Sequence, residues 1–346
     1  MSDVVLNILN KSFADLINSG YVAKLPYKFE ATKLFGYQAD DRTEIKAGQK
    51  YETNIIGRNN NIAFQTKEGN TDYQQNTLPS VETFDQKYCR YTEACRWNDT
   101  DDSLVDDEVR KAGSLATYGM ERILENAKLQ TPRQMIDALY RAFDLTYWFG
   151  ADNVAKIQQQ QSNNQEANLT TIPTLQTANA NGVIAVNGVF THNKIERIAS
   201  VNEYTPQNSD AVIQQLVDIS SEMKKNCDFG INRIILPLNI ADQSQKATAT
   251  LAQKRFDVML KEGLEREGER VEIIGSNTLY RFGIKCAIAF HYSEEDYDRV
   301  CHCRVNRFKA LYEKHFSNHM RVIEAPCGGF EVRIPDGIKI ITGIKN

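Results

Sequence analysis

The chain has 346 residues, of which 41% are hydrophobic and 25% are charged, so it is long and apolar enough to bury a sizeable core. Lysines and arginines number 41 against 45 aspartates and glutamates, which gives a formal net charge of −4. A nearly balanced charge without polybasic blocks disfavours tight binding of nucleic acid, because attraction to phosphates requires clustered cations. The composition also disfavours intrinsic disorder.

Membrane insertion and secretion are disfavoured as well. No window approaches the roughly 18 uninterrupted apolar residues of a transmembrane helix, and the first residues lack the basic and apolar regions of a signal peptide. The seven cysteines are an odd number spread between Cys89 and Cys327. This count favours reduced thiols in a cytosol-like compartment over a disulfide framework.

The first 98 residues predict an arm and then a hairpin. Residues 1–40 contain one short amphipathic stretch and no strong period, so we expect an N-terminal arm that need not pack on its own chain. Within residues 41–98, two runs that favour strands, KYETNII and SVETFDQKYCRYTEACRW, flank the polar stretch RNNNIAFQTKEGNTDYQQN. This pattern indicates a long hairpin that projects from the body.

Residues 99–205 predict helices and a polar loop. Ser103 is a suitable N-cap for a helix over residues 104–129, in which apolar residues recur at steps of three and four. At ~1.5 Å per residue, this helix would be roughly 39 Å long. A second helix is expected from Pro132 to Gly150. The Gln- and Asn-rich run over residues 158–182 is too polar to bury, so we expect a mobile surface loop there.

Residues 206–346 read as an α/β unit. The run DAVIQQLVDISSEMKKN predicts an amphipathic helix, and another helix is expected around Ala249 to Glu267. Strands are expected at RIILPL, VEIIGS, IKCAIAF, around Val300 to Val305, at EVRI and at IKIITGI. A mixed sheet with helices follows, and the chain as a whole is predicted to be α+β.

The motifs that could carry chemistry are weak. Cys301, Cys303, His315 and His319 offer thiolate and imidazole ligands for zinc, but the first pair lacks finger spacing and lies on a strand-like run, while the histidines fit a helix. His302 beside Cys301 is only a sequence neighbour, since adjacent strand residues face opposite sides. No nucleophile elbow or phosphate-binding glycine motif occurs. We therefore expect no metal, no cofactor and no enzymatic activity.

The order of these parts resembles the tailed-phage major capsid protein family and its Hong Kong 97-type fold, which encapsulin nanocompartments share. GQKYETNIIGRNNNIAFQTKEGN looks like the outgoing strand and tip of the family's E-loop hairpin, and LPSVETFDQKYCRYTEACRWNDTDDSLVDDE like its return strand and the start of the spine helix. RQMIDALYRAFDLTYWFG is similar to the segment after the spine, VIQQLVDISSEMKKNCDFGINRIILPLN to the first helix and strand of the axial domain, and IPDGIKIITGI to the terminal strand.

The resemblance implies an N-terminal arm at 1–40 and an E-loop at 41–98. It also implies a peripheral domain with the spine helix at 99–205, to which part of the C-terminal strands is added, and an axial domain with closing strands at 206–346. It implies a shell protein that forms the hexamers and pentamers of an icosahedral virion around double-stranded DNA, after assembly in the host cytoplasm. Scaffolding, portal and decoration proteins would be its further partners, and DNA contact would be weak and non-specific.

In such a shell the E-loop tip would contact another subunit through five residues, Arg58, Ile62, Phe64, Lys67 and Glu68. Three alternatives remain open. The chain could form an encapsulin-like compartment for protein cargo, it could be a tail tube or sheath protein that assembles helically, or it could be a cytosolic α/β enzyme with an unrecognised site. An electron micrograph of the purified protein would separate them.

Overall fold

The computed structural model describes residues 30–40, 45–46, 48–55, 82–98, 138–151, 153–154, 157, 186–205, 208–244, 255–265, 270–295, 298–306, 309–315 and 318–344. The proposed E-loop tip, the expected helix over residues 104–129 and the polar run over residues 158–182 lie outside these residues.

The described residues form both strands and helices, which confirms the α+β class. The strands are β1 (Tyr37–Asp40), β2 (Lys50–Ile55), β3 (Glu82–Lys87), β4 (Cys89–Asn98), β5 (Glu196–Ala199), β6 (Arg233–Pro237), β7 (Glu272–Ser276), β8 (Cys286–Phe290), β9 (Cys301–Asn306), β10 (Lys309–His315), β11 (Asn318–Val332) and β12 (Ile338–Thr342). The helices are α1 (Glu30–Phe35), α2 (138–149), α3 (Ser209–Cys227), α4 (Leu238–Ser244), α5 (Phe256–Glu265) and α6 (Asn277–Arg281). Among these helices none is long and apolar enough to cross a membrane.

The described strands lie in three sheets. One has the order β1-β9-β11-β10, with β4 also paired to β11, and a second has the order β5-β12-β8-β6-β7. The second sheet is mixed, because β5 and β12 run parallel, as do β6 and β7, whereas β8 is antiparallel to both of its neighbours. The third sheet consists of β2 and β3.

Strand β8 shows how the second sheet is covered on both faces. All five of its residues are buried. Cys286, Ile288 and Phe290 belong to one apolar cluster, and Ala287 and Ala289 belong to another. Because successive side chains of a strand point to opposite faces, this division places one cluster on each side of the sheet.

Helices α3 and α5 cover the face on which Ala287 and Ala289 lie. The buried side chains of α3 recur at steps of four, three and four, as the amphipathic pattern predicts; they are Val212, Leu216, Ile219 and Met223. Helix α3 ends at Cys227, where Asp228 takes a left-handed conformation and its N–H donates to the Lys224 carbonyl at 3.1 Å. The predicted helix and the strand after it are therefore confirmed.

Residues 30–40, which the sequence assigns to the arm, pack into the body of their own chain. Ala31 and Phe35 of α1 are fully buried, and β1 pairs in parallel with β9. The ring of Phe35 contacts three aromatic rings at centroid distances of 5.0–5.4 Å, those of Trp148 on α2, Phe290 on β8 and Phe330 on β11. Residues 30–40 therefore belong to the body and not to the expected arm, because their apolar side chains pack between the two large sheets.

The hairpin expected at residues 41–98 divides into two parts. Strands β2 and β3 form an antiparallel ladder in which Lys50 lies opposite Lys87 and Ile55 opposite Glu82. After Tyr88 the chain enters β4, which pairs along its whole length with β11. The second half of the expected return strand therefore belongs to the first large sheet, and only the first half belongs to the hairpin.

Candidate functional site

The base of the hairpin is joined to the first large sheet at a buried polar cluster. The ladder closes where Gly48 N donates to the Tyr88 carbonyl at 2.8 Å and Tyr88 N donates to the Gln49 carbonyl at 3.0 Å. We call the cluster formed by Asp40, Tyr51, Tyr88, Arg304 and Glu331 the hairpin anchor. Its members come from β1, β2, the residue between β3 and β4, β9 and β11.

Arg304 is the centre of the hairpin anchor. Its Nη1 donates to Asp40 Oδ2 at 3.2 Å, and its Nε donates to Glu331 Oε1. The guanidinium carbon lies 4.5 Å from the centroid of the Tyr51 ring, which adds a cation–π contact. One side chain of β9 therefore binds the strand before the hairpin, the hairpin's first strand and β11.

The two tyrosines attach the hairpin to the anchor. The Tyr88 hydroxyl donates to Asp40 Oδ2 at 2.8 Å, and the Tyr51 hydroxyl donates to the carbonyl of Gly328. Their rings pack at a centroid distance of 4.6 Å, and both residues are buried. Because both tyrosines lie at the end of the ladder where Lys50 pairs with Lys87, these bonds hold the hairpin at its base.

His302 extends the anchor along β9. Glu331 is its partner in the antiparallel pairing of β9 and β11, and His302 Nε2 lies 2.9 Å from Glu331 Oε2. Burial lowers the pKa of His302, although Glu331 opposes this effect, so the imidazole is held neutral near pH 7. Burial would raise the pKa of Glu331, but its contacts with His302 and Arg304 lower it to about 2.

Glycine at position 328 is required by the close approach of the anchor side chains. A Cβ added at Gly328 would lie 2.6 Å from Arg304 Cδ and 3.1 Å from Tyr88 Cε1. The register of β11 against β9 shifts between Cys327 and Phe330, which identifies an irregularity at these glycines. The bulge brings the Gly328 carbonyl to the Tyr51 hydroxyl.

Of the candidate zinc ligands, the two cysteines lie on a strand as predicted, whereas the two histidines do not lie on a helix. Cys301 and Cys303 are buried in the apolar cluster, where burial raises the pKa of both thiols and so disfavours the thiolates that zinc binds. His315 and His319 lie in the paired strands β10 and β11, so the expected helical setting for them was wrong. Within the described ranges, no group of three or more His, Cys, Asp and Glu residues is placed to hold a metal.

An open cleft beside β6 and β7 is the other polar feature of note. Arg233 in this cleft donates to Glu272 Oε2 from Nη2 at 2.7 Å and from Nε at 3.1 Å, and its Nη1 donates to the Leu34 carbonyl at 2.7 Å. The guanidinium carbon also lies 3.5 Å from the centroid of the Tyr292 ring. These contacts tie α1 to the second large sheet, which gives Arg233 a structural role.

Functional residues were predicted only at the hairpin tip, and the anchor was not predicted. Arg58, Ile62, Phe64, Lys67 and Glu68 all follow Ile55 and lie outside the described residues. The anchor residues are up to 291 positions apart, from Asp40 to Glu331, so no local motif joins them. The available signal was the presence of charged residues within strand runs, His302 and Arg304 in CHCRV and Glu331 in FEV.

The chain matches no protein-family model and no curated protein sequence. Its structure is similar to the capsid of Myoviridae phage XM1, at 10% identity over 90% of each chain with a TM-score of 0.49. It is also similar to the procapsid of satellite phage P4 with its size determination protein, at 10% identity over 95% of this chain and 91% of that one with a TM-score of 0.46. A virus-like particle from Pyrococcus furiosus is similar at 9% identity over 94% and 97% of the two chains, with a TM-score of 0.44. These solved structures include phage capsid proteins, the family that the sequence resembles. At 9–10% identity, the similarity assigns no role to any residue.

Proposed function

We propose that the chain is a structural major capsid protein, not an enzyme, which assembles into the hexamers and pentamers of an icosahedral virion shell around double-stranded DNA. The observation that carries this proposal is the hairpin anchor. A two-stranded ribbon is marginally stable alone in water. The base of this ribbon is held by the largely buried Arg304 guanidinium, two carboxylates and two tyrosines. This firm attachment of a marginally stable element supports a role for the hairpin in contact with another subunit.

The anchor and the tip have complementary roles in this proposal. Arg304, Tyr51 and Tyr88 set the direction in which the hairpin leaves the body. Arg58, Ile62, Phe64, Lys67 and Glu68 at the tip contact the neighbouring subunit. Because the same contact is repeated around each symmetry axis, a small change in that direction recurs at every copy.

The principal partner is a second copy of the chain. The net charge of −4 supports weak, non-specific contact with packaged DNA, because tight binding would need clustered cations. Scaffolding, portal and decoration proteins complete the set of partners that the resemblance implies. The protein is thus proposed to assemble in the host cytoplasm and to remain in the virion.

Replacement of Arg58 to Asn70 by a short Gly-Ser turn tests the proposal directly. The stretch is polar, so the unassembled subunit should keep its circular dichroism spectrum and melting temperature. Particle yield, measured by sedimentation and electron microscopy, should fall steeply, because a contact is lost at every copy. As a matched control, Gly-Ser in place of the exposed pair Glu294 and Glu295 should leave the yield unchanged.

Normal yield of shells from the shortened chain would refute the role of the tip. Absence of any closed particle from the wild-type chain, with scaffold supplied, would refute the capsid function itself. If the shortened subunit melts at a lower temperature, Ile62→Ser with Phe64→Ser removes two apolar contacts without changing the loop length. That double variant should fold normally and fail to assemble.

A further inference from the structure

Cys89 and Cys327 lie directly opposite each other on neighbouring strands. They are register partners in the antiparallel pairing of β4 and β11. The Cys89 side chain turns toward its partner, since its Sγ lies 3.6 Å from the Cys327 carbonyl oxygen. Both cysteines are buried, since Cys327 is not exposed at all and Cys89 is only 8% exposed. The pair joins the strand that follows the hairpin to the longest strand of the first large sheet.

No other cysteine in the described strands faces a cysteine. The register partners of the remaining four are other residue types, in the pairs Cys95–Arg321, Cys286–Thr342, Cys301–Val332, Cys303–Phe330 and Cys303–Tyr37. Cys227 lies at the end of helix α3. The pairing of the strands therefore singles out one candidate pair of thiols.

The spacing of such a pair suits a disulfide. Directly opposed residues of antiparallel strands have Cα atoms about 4.5–5.5 Å apart, which falls within the ~4.4–6.8 Å range of disulfide-bonded cysteines. The Cβ atoms must approach slightly, to about 3.8 Å. Gly328 and Gly329 follow Cys327 at the irregularity in β11, so the backbone there can adjust more readily than in a regular strand.

We propose that Cys89 and Cys327 form a cross-strand disulfide when the protein meets a small-molecule disulfide such as oxidised glutathione. The Cys89 thiolate attacks one glutathione sulfur, which forms a mixed disulfide and releases the first glutathione thiolate. The Cys327 thiolate then attacks Cys89 Sγ and releases the second. Two protein thiols are oxidised, one glutathione disulfide is reduced to two thiols, and the two protons pass to the released glutathiones.

Burial of the two cysteines should make their oxidation by glutathione disulfide slow near neutral pH and faster at higher pH. The pKa of Cys89 lies well above its ordinary value, first because of the nearby Cys327 side chain and then because Cys89 is buried. Since only a thiolate attacks a disulfide, few molecules react near neutral pH. The cysteines thus stay reduced in a reducing cytosol and become linked under sustained oxidising conditions.

The test refolds the full chain from denaturant in a glutathione redox buffer at about pH 8.5, so that slow access to the buried pair is not limiting. Free thiols are alkylated, and peptides are mapped by mass spectrometry without reduction. We expect one dominant cross-link, between the Cys89 and Cys327 peptides. The Cys303→Ala control should keep this cross-link, whereas Cys89→Ala and Cys327→Ala should each lose it without forming another.

The link should also change stability. It closes a loop of 238 residues, so the oxidised wild type should melt about 5 °C or more above its reduced form. Cys89→Ala and Cys327→Ala should melt at the same temperature under both conditions. Recovery of both thiols in the alkylated form from correctly folded protein would overturn the proposal, as would a dominant cross-link to any other cysteine.

Discussion

Arg304 and Glu331 form a buried ion pair, since Arg304 Nε donates to Glu331 Oε1 while the two side chains are only 16% and 2% exposed. Removing the charge of Glu331 leaves Asp40, at 3.2 Å, as the remaining carboxylate of the anchor beside Arg304, in a medium that solvates the guanidinium poorly. Glu331→Gln should therefore lower the free energy of unfolding by about 3 kcal/mol, measured by urea titration of the subunit. Glu272→Gln is the matched control, because Glu272 pairs with Arg233 but is 57% exposed, and it should cost less than about 1 kcal/mol. Equal losses in the two variants would contradict this account of the anchor.

The hydroxyl of Tyr88 should contribute to stability through Asp40. Tyr88→Phe removes the donor to a buried carboxylate, so we expect a loss of about 1.5–3 kcal/mol in the free energy of unfolding. Tyr204 supplies the contrast, because its hydroxyl is buried without a hydrogen-bond partner among the described residues. Tyr204→Phe should leave stability unchanged or raise it by up to about 1 kcal/mol. Urea titrations measure the free energy of unfolding of both variants. A loss for Tyr204→Phe as large as that for Tyr88→Phe would contradict the role of the Tyr88 hydroxyl.

Gly329 and Gly343 separate the effect of backbone conformation from that of steric overlap. Both have φ of +78°, so alanine is strained at either position. A Cβ at Gly329 would overlap Val186 Cγ1 and lie 2.6 Å from the Asn187 carbonyl oxygen, whereas a Cβ at Gly343 meets nothing within 4 Å. Gly329→Ala should therefore destabilise the subunit by about 1–3 kcal/mol more than Gly343→Ala in denaturant unfolding. A smaller cost at Gly329 than at Gly343 would be inconsistent with this packing.

Asp144 on α2 should lower the stability of the folded protein as the pH rises from about 4 to about 7. Its Oδ1 accepts a hydrogen bond from Ala31 N at 2.9 Å, and burial, aided by Glu30 and opposed by this bond and Lys33, raises its pKa from 3.8 to about 7. Between about pH 4 and 7 the folded protein therefore holds a proton that the unfolded chain has already lost. This contribution to stability is complete below about pH 4, decreases as the pH rises, and is gone above about pH 7. Asp144→Asn should flatten this part of the pH profile of stability. A variant profile as steep as that of wild type would show that another group titrates.

Helices α3 and α5 and strands β6, β7, β8, β9 and β12 could be predicted from their apolar residues, whereas α4, α6 and β10 were not predicted. Strand β11 was recognised only at its end, EVRI, since Pro326, Gly328 and Gly329 are typical of a break in a strand. The structure accommodates them at the irregularity beside β9. Strand β5 is four residues long and lies at a sheet edge, where few of its side chains are buried, so it carries almost no pattern.

The hairpin could be predicted from the sequence, but its anchor could not. Local pattern gives two strands around a polar tip, and β2 and β3 do pair. The contact between Tyr51 and Arg304 instead depends on how β9 lies beside β11, which is a property of the tertiary fold. A charged residue within a strand run is visible in the sequence, but periodicity carries no information on which residue of another strand it contacts.

The position of β12 bears on how the subunit is made. This strand is the last of the described strands in chain order, yet it lies between β5 and β8, and it pairs with both. Neither apolar cluster on the second sheet can close before residues 338–342 have left the ribosome. The second sheet is therefore completed by a strand that is synthesised long after β5, and its formation depends on contacts between distant parts of the chain. A nascent chain arrested before Gly337 would still expose the edges of β5 and β8 that pair with β12 in the folded protein.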